Sequence, residues 1–151
     1  MSETEKSYRE VEDLQVYQKL CDLHLEIWER SFKWPRQDRF ELTSQVLRSS
    51  NSSPAQLAEK NDDRHLRNKI EGVNRSRTEA GETIHHLYIA YRKEYFGKEV
   101  YTQYRSRYKE CVRMLNGLEK SLERFLPSKD QRWVHEPQAA YEAQAPTGYP
   151  V

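Results

Sequence analysis

The sequence predicts an all-α fold, an antiparallel up-and-down four-helix bundle, and three observations carry that expectation. Apolar residues make up 36% of the 151 positions and charged residues 32%, so about one residue in three can line a core. That suits amphipathic helices with one buried stripe each and fits poorly with a sheet buried on both faces. Five glycines leave few tight turns, which argues against an all-β fold and against phosphate-cradling loops. Apolar residues also recur at three- and four-residue steps in segments separated by Pro, Gly and Asn/Asp clusters, the period of a helix with one buried face. The length suits one domain with its own core.

Taken in order, residues 1–12 read as a flexible acidic arm, 13–126 as the bundle domain and 127–151 as a Pro/Gln/Ala-rich disordered tail. Asp13 is placed to cap the first helix, whose apolar positions are Tyr17, Leu20, Leu23 or His24, Ile27 and Trp28. Pro35 stops it, because proline lacks an amide hydrogen and disfavours helix at Trp34. The second helix opens after Asp38, a candidate cap, and runs through Phe40, Leu42, Val46 and Leu47 into Ser49-Ser50-Asn51-Ser52-Ser53. Ser53-Pro54-Ala55-Gln56 then has the arrangement of a new helix start. A true break and one long helix kinked near Pro54 are both compatible with it.

Asn61-Asp62-Asp63 supplies the next cap. Leu66, Ile70, Val73, Arg77, Ala80, Ile84, Leu87 and Tyr91 follow as a stripe with one charged member, Arg77, in phase with the core. Gly97 is placed to close that third helix in a left-handed conformation. In the fourth helix Tyr101, Tyr104, Tyr108, Cys111, Leu115, Leu118, Leu122 and Phe125 alternate three- and four-residue steps, and Pro127 ends the run.

Charge and chemistry narrow the role. Net charge is +1, from 25 basic and 24 acidic residues, but residues 1–13 hold five acids against two bases, while Arg64–Tyr95 and Lys98–Arg124 each hold seven bases against four acids. Such a body can bind a polyanion on one face, and solvated, salt-bridged helices give similar counts. Cys21 and Cys111 lack CxxC spacing and read as free thiols. No apolar run suits a membrane span and the acidic start is no signal peptide, so a cytoplasmic protein is expected. A di-metal bundle needs two Glu-x-x-His pairs. Glu82 with His85 makes one, while Asp62 with His65 is better explained as a cap. Cys21 and His24 share one helical turn, with nothing nearby to orient the imidazole. The expectation is therefore no enzyme, no metal and no cofactor. In the fourth helix, Arg105, Arg107 and Lys109 interleave with Tyr104 and Tyr108, and basic residues so placed can neutralise phosphates.

Four segments occur in a distinctive order: Asp13-Leu14-Gln15-Val16-Tyr17-Gln18-Lys19, Trp34-Pro35, Phe40-Glu41-Leu42-Thr43-Ser44-Gln45-Val46 and Ser53-Pro54-Ala55-Gln56-Leu57-Ala58-Glu59. With them the chain resembles the bacterial 23S rRNA intervening-sequence proteins, a four-helix bundle family that includes the accessory variability determinants of diversity-generating retroelements. It departs from the family's wording at Lys60, where Gly is usual, and at Thr78-Glu79, where Gly-Ser is. The resemblance implies a pentameric barrel of bundles without catalytic activity, whose basic surfaces bind RNA or DNA and a reverse transcriptase. It implies one second helix, kinked near Pro54, and no membrane association. Phosphate contacts are expected from Arg48, Arg64, Arg67, Arg75, Arg77, Arg105, Arg107 and Lys109.

Overall fold

The computed structural model describes residues 10–131. The expected arm over residues 1–9 and the tail from residue 132 onward lie outside the described residues. Four helices make the fold: α1 (Gln15–Ser31), α2 (Ser44–Asn61), α3 (Leu66–Arg92) and α4 (Lys98–Glu123). Short 3-10 turns flank them, at Val11–Asp13 before α1 and at Ser128–Asp130 after α4. No strand occurs among the described residues.

Cross-helix pairs fix the topology. Along α2 and α3, Ser49 meets Thr83 and Ser53 meets Ser76, so one number rises as the other falls. Lys19–Glu110, Glu26–Arg107 and Arg30–Tyr104 show the same for α1 and α4, as do Arg77–Glu119 and Tyr91–Tyr101 for α3 and α4. The four helices run up, down, up and down. The core between them is made by Leu20, Leu23 and Ile27 of α1, Val46 and Leu57 of α2, Val73, Ala80 and Leu87 of α3, and Tyr104, Tyr108 and Leu115 of α4. Burying each large aliphatic side chain contributes roughly 2 kcal/mol.

The Ser-rich stretch is one helix. α2 runs through Pro54 without interruption, and the departure from α geometry lies earlier, in a π turn at Arg39–Thr43 where Glu41 has φ −108° and ψ −105°. Ser49, Ser50 and Ser53 are fully buried, so α2 presents small side chains to its neighbours. Ser53 Oγ donates to the Ser76 carbonyl at 2.8 Å, and Thr83 Oγ1 donates to Ser49 Oγ at 2.8 Å. These bonds satisfy hydroxyls that would otherwise cost energy to bury. At the far end of the same crossing, a Cβ on Gly72 would lie 2.7 Å from Lys60 Cβ and 3.0 Å from the Gln56 carbonyl. The close approach of α2 and α3 depends on that missing atom.

Several local expectations are corrected. Asp13 lies in the 3-10 turn and Leu14 occupies the cap position of α1, without a side-chain bond. Asp38 is turned inward and makes no cap bond to the first turn. Lys93 Nζ donates to its carboxylate at 2.8 Å, and so does the Tyr95 hydroxyl. Those two bonds hold the Asp38 carboxyl below its ordinary range, while burial and Asp38 push the Tyr95 phenol up to about 12. α3 ends at Arg92, and the left-handed residue after it is Glu94, with φ 65°. Gly97, at φ −81° and ψ 170°, instead opens α4. Phe125, expected on the core stripe, lies beyond the end of α4 and is exposed, as is Trp28 of α1. The interior takes Glu119 and Glu123 on that flank of α4 instead.

Candidate nucleic-acid interface

Five of the eight expected cations, Arg48, Arg67, Arg75, Arg77 and Arg107, are held in ion pairs. Arg48 of α2 bridges Glu79 at 3.4 Å and also bonds Glu82. Arg75 pairs with Glu71 one turn away at 2.6 Å, and Arg67 reaches Asp130 at 2.8 Å. On the opposite side, Arg107 makes a two-pronged bond to Glu26, at 2.8 and 2.5 Å, with its guanidinium 5.8 Å from the Tyr104 ring centre. The Arg107 bond holds the Glu26 carboxyl below its ordinary range. Arg64 is exposed in the α2–α3 connection and makes no ion pair among the described residues.

Arg77 points inward. Its side chain is 15% exposed and pairs at 2.8 Å with Glu119, which is 1% exposed. Asn116 accepts a further bond at 2.5 Å, and Asn74 accepts another. The charged residue in the α3 stripe is thus matched by a buried carboxylate on α4.

Arg105 and Lys109 are different. They stand one turn apart on the flank of α4 that carries Asn116, the residue touching Arg77, so this flank faces α3. Burial, with the positive charge of Arg105 second, pushes the Lys109 ammonium below its ordinary range. Arg105 Nε is buried without a hydrogen-bond partner. Lys98 and Lys120 fall on the same flank, seven residues before Arg105 and eleven after Lys109, with exposed Arg113 beside them. Lys98, Arg113 and Lys120 make no ion pair among the described residues. On the α3 side Arg92 lies over Tyr88, 5.7 Å from the ring centre. Most carboxylates of both helices are engaged: Glu79 and Glu82 by Arg48 of α2, Glu71 by Arg75 of its own helix, Glu110 by Lys19 of α1 at 3.4 Å, and Glu119 by Arg77.

Positive charge therefore runs along α4 beside α3, roughly 33 Å from Lys98 to Lys120 at the helical rise, with Lys98, Arg113 and Lys120 exposed and Arg105 and Lys109 half-buried between them. The structure brings together Arg105 and Lys109, sets Arg77 two or more turns further along α4 against Asn116 and Glu119, and disperses Arg48, Arg64, Arg67, Arg75 and Arg107. Lys98, Arg113, Lys120 and Arg92 were not among the expected contacts. For Lys98, Arg113 and Lys120 the seven-, four- and eleven-residue spacing from Arg105 and Lys109 was the available signal.

The other chemistries meet different surroundings. Glu82 faces Arg48 and His86 rather than His85. Among the described residues no three His, Cys, Asp or Glu side chains gather as a metal would need. Burial pushes the Cys21 thiol up and the His24 imidazole down, opposite to an activated thiolate–imidazolium pair. His24 Nδ1 lies 2.7 Å from Ser50 Oγ. No described helix is long and apolar enough to cross a membrane.

Comparison with known proteins places this geometry. The family model for the 23S rRNA-intervening sequence protein matches residues 12–117. A crystal structure of a protein with unknown function from the S23 ribosomal protein family of Bacteroides thetaiotaomicron superposes with a TM-score of 0.63 at 26% identity. It covers 70% of this chain and 95% of its own. No curated protein matches the chain.

Proposed function

Because the chain belongs to the 23S rRNA-intervening sequence protein family, we propose that it is a non-enzymatic, homo-oligomeric accessory protein that associates with nucleic acid. One observation carries the reading: the α3–α4 flank holds Lys98, Arg105, Lys109, Arg113 and Lys120, while Glu79, Glu82 and Glu110 pair with α2 and α1 and Glu119 is buried against Arg77. Burial lowers the Lys109 pKa and the positive charge of Arg105 adds to it, a repulsion that a bound polyanion offsets. A phosphate backbone laid along α4 exchanges its counterions for these side chains, and that release drives binding. Arg48, Arg67, Arg77 and Arg107 instead make ion pairs between elements of the fold.

Filter binding to RNA and to DNA across a salt series tests this. Affinity should fall linearly on a log–log plot as salt rises. Binding indifferent to salt, or none at low salt, contradicts it. The assembly proposed is the pentamer that the resemblance implies, so light scattering should return about five times the 18.1 kDa chain mass. A reverse transcriptase is the protein partner proposed on the same resemblance, and its test is co-purification with such an enzyme encoded beside this chain.

A further inference from the structure

Away from the cationic flank, the end of the bundle formed by α1 and the turn into α2 carries an aromatic surface. Phe40 is 85% exposed, Phe32 69% and Trp28 48%. Three large rings left in water side by side are unlike the single exposed hydrophobes normal on a protein surface. They wall a cavity of about 660 Å³ whose lining also includes Arg36, Arg39 and Thr43. Trp28 and Phe32 meet edge to face at 4.8 Å between ring centres. The π turn at Arg39–Thr43 sets Phe40 out from the bundle, and such turns recur at functional sites.

Three features favour an anionic, ring-bearing occupant over an apolar one. No carboxylate lines the cavity. Arg36 and Arg39 make no ion pair among the described residues, and the Arg39 guanidinium lies 5.8 Å from the Phe40 ring centre, ready to share its charge. The Thr43 hydroxyl, on the lining, is buried without a hydrogen-bond partner. Aromatic faces and guanidinium planes are what unpaired bases stack on, and concave, partly aromatic pockets of this size suit a small ring system with a few polar groups.

We propose that this cavity holds an unpaired base of a single-stranded nucleic acid, stacked against Trp28 and Phe40, with Arg36 and Arg39 on its phosphates. The proposal rests on the nucleic-acid reading but concerns a separate face. Duplex binds the α3–α4 flank by its backbone alone, whereas a single strand uses both surfaces.

The test measures anisotropy of a labelled single-stranded RNA on the order of ten nucleotides, and of its duplex, with the full-length protein. Trp28→Ala and Phe40→Ala, both at exposed positions, should bind the single strand about tenfold more weakly, leave duplex binding unchanged and keep the parent's size by light scattering. Phe40→Trp should restore the single-strand affinity. If both alanine variants bind the single strand as the parent does, the base pocket falls and the nucleic-acid reading stands. If their lost affinity comes with a smaller assembly, the aromatic face is a seam between copies and the base pocket falls. A parent that binds neither nucleic acid at low salt overturns both.

Discussion

At the residue scale, Arg77 and Glu119 show how a charge enters a small bundle. A buried ion pair adds little net stability, because desolvating both groups offsets their attraction, but removing one partner strands the other. Glu119→Ala should therefore destabilise the fold by about 3 kcal/mol, the low end for a buried pair because Arg77 keeps some solvent. Arg77→Met paired with Glu119→Leu should recover most of that loss in urea unfolding, since an apolar pair of similar volume replaces the ions. His24 gives the pH dependence. Burial lowers its pKa from 6.5, so the unfolded chain takes up a proton that the folded ring resists. The stability it contributes is full above pH 6.5 and is lost as pH falls through the depressed folded value. Between pH 7.5 and 5.5 the parent should lose more stability than His24→Gln, whose amide can still meet Ser50. Equal losses contradict the assignment.

At the element scale, α2 and α3 are held by closeness rather than by large apolar side chains. Ser49, Ser53, Ser76 and Thr83 satisfy one another across the crossing, and Gly72 lets the backbones approach. Gly72→Ala gains up to about 1 kcal/mol of helix propensity, yet its Cβ would overlap Lys60 Cβ, a carbon fixed to the backbone. Overpacking should win, for a net loss of about 1–2 kcal/mol by denaturant unfolding. Gly81, with open space around it, is the control and should tolerate Ala with no loss.

The same elements show what could be read in advance. Periodicity located all four helices, because burial on one face leaves a direct imprint on the spacing of apolar residues. It misjudged the ends: Phe125 continued the stripe arithmetically but lies past Glu123, where α4 has stopped. Asp38 looked like a cap because its partners, Lys93 and Tyr95, are more than fifty residues away and no local pattern reveals them. Arg77 in phase with the core was the legible clue that a buried acid must exist, and only the packing identified Glu119. The cationic flank was half visible. Counting charge by segment mixes the sides of a helix, whereas the ion pairs sort them, drawing Glu79, Glu82 and Glu110 toward α2 and α1 and leaving Lys98, Arg113 and Lys120 exposed beside α3.

At the scale of the whole molecule, a chain with net charge +1 acquires a polar organisation. The α1–α2 end presents aromatic rings and the α3–α4 side presents cations, with the ion-paired seams between them. Overall charge therefore says little about affinity for a polyanion, because the field at one face is set by which acids have been paired away from it. Family membership accounts for the architecture, and this charge segregation is what the proposed nucleic-acid role rests on.

The most direct test of that link compares the salt dependence of RNA binding for the parent and for Lys98→Gln/Arg113→Gln/Lys120→Gln, all exposed and outside the ion pairs. The parent should show a steep negative slope of log affinity against log salt, and the variant a slope shallower by roughly two to three, one lost phosphate contact per residue. An unchanged slope in a folded variant, or a parent that does not bind RNA at low salt, would contradict the account.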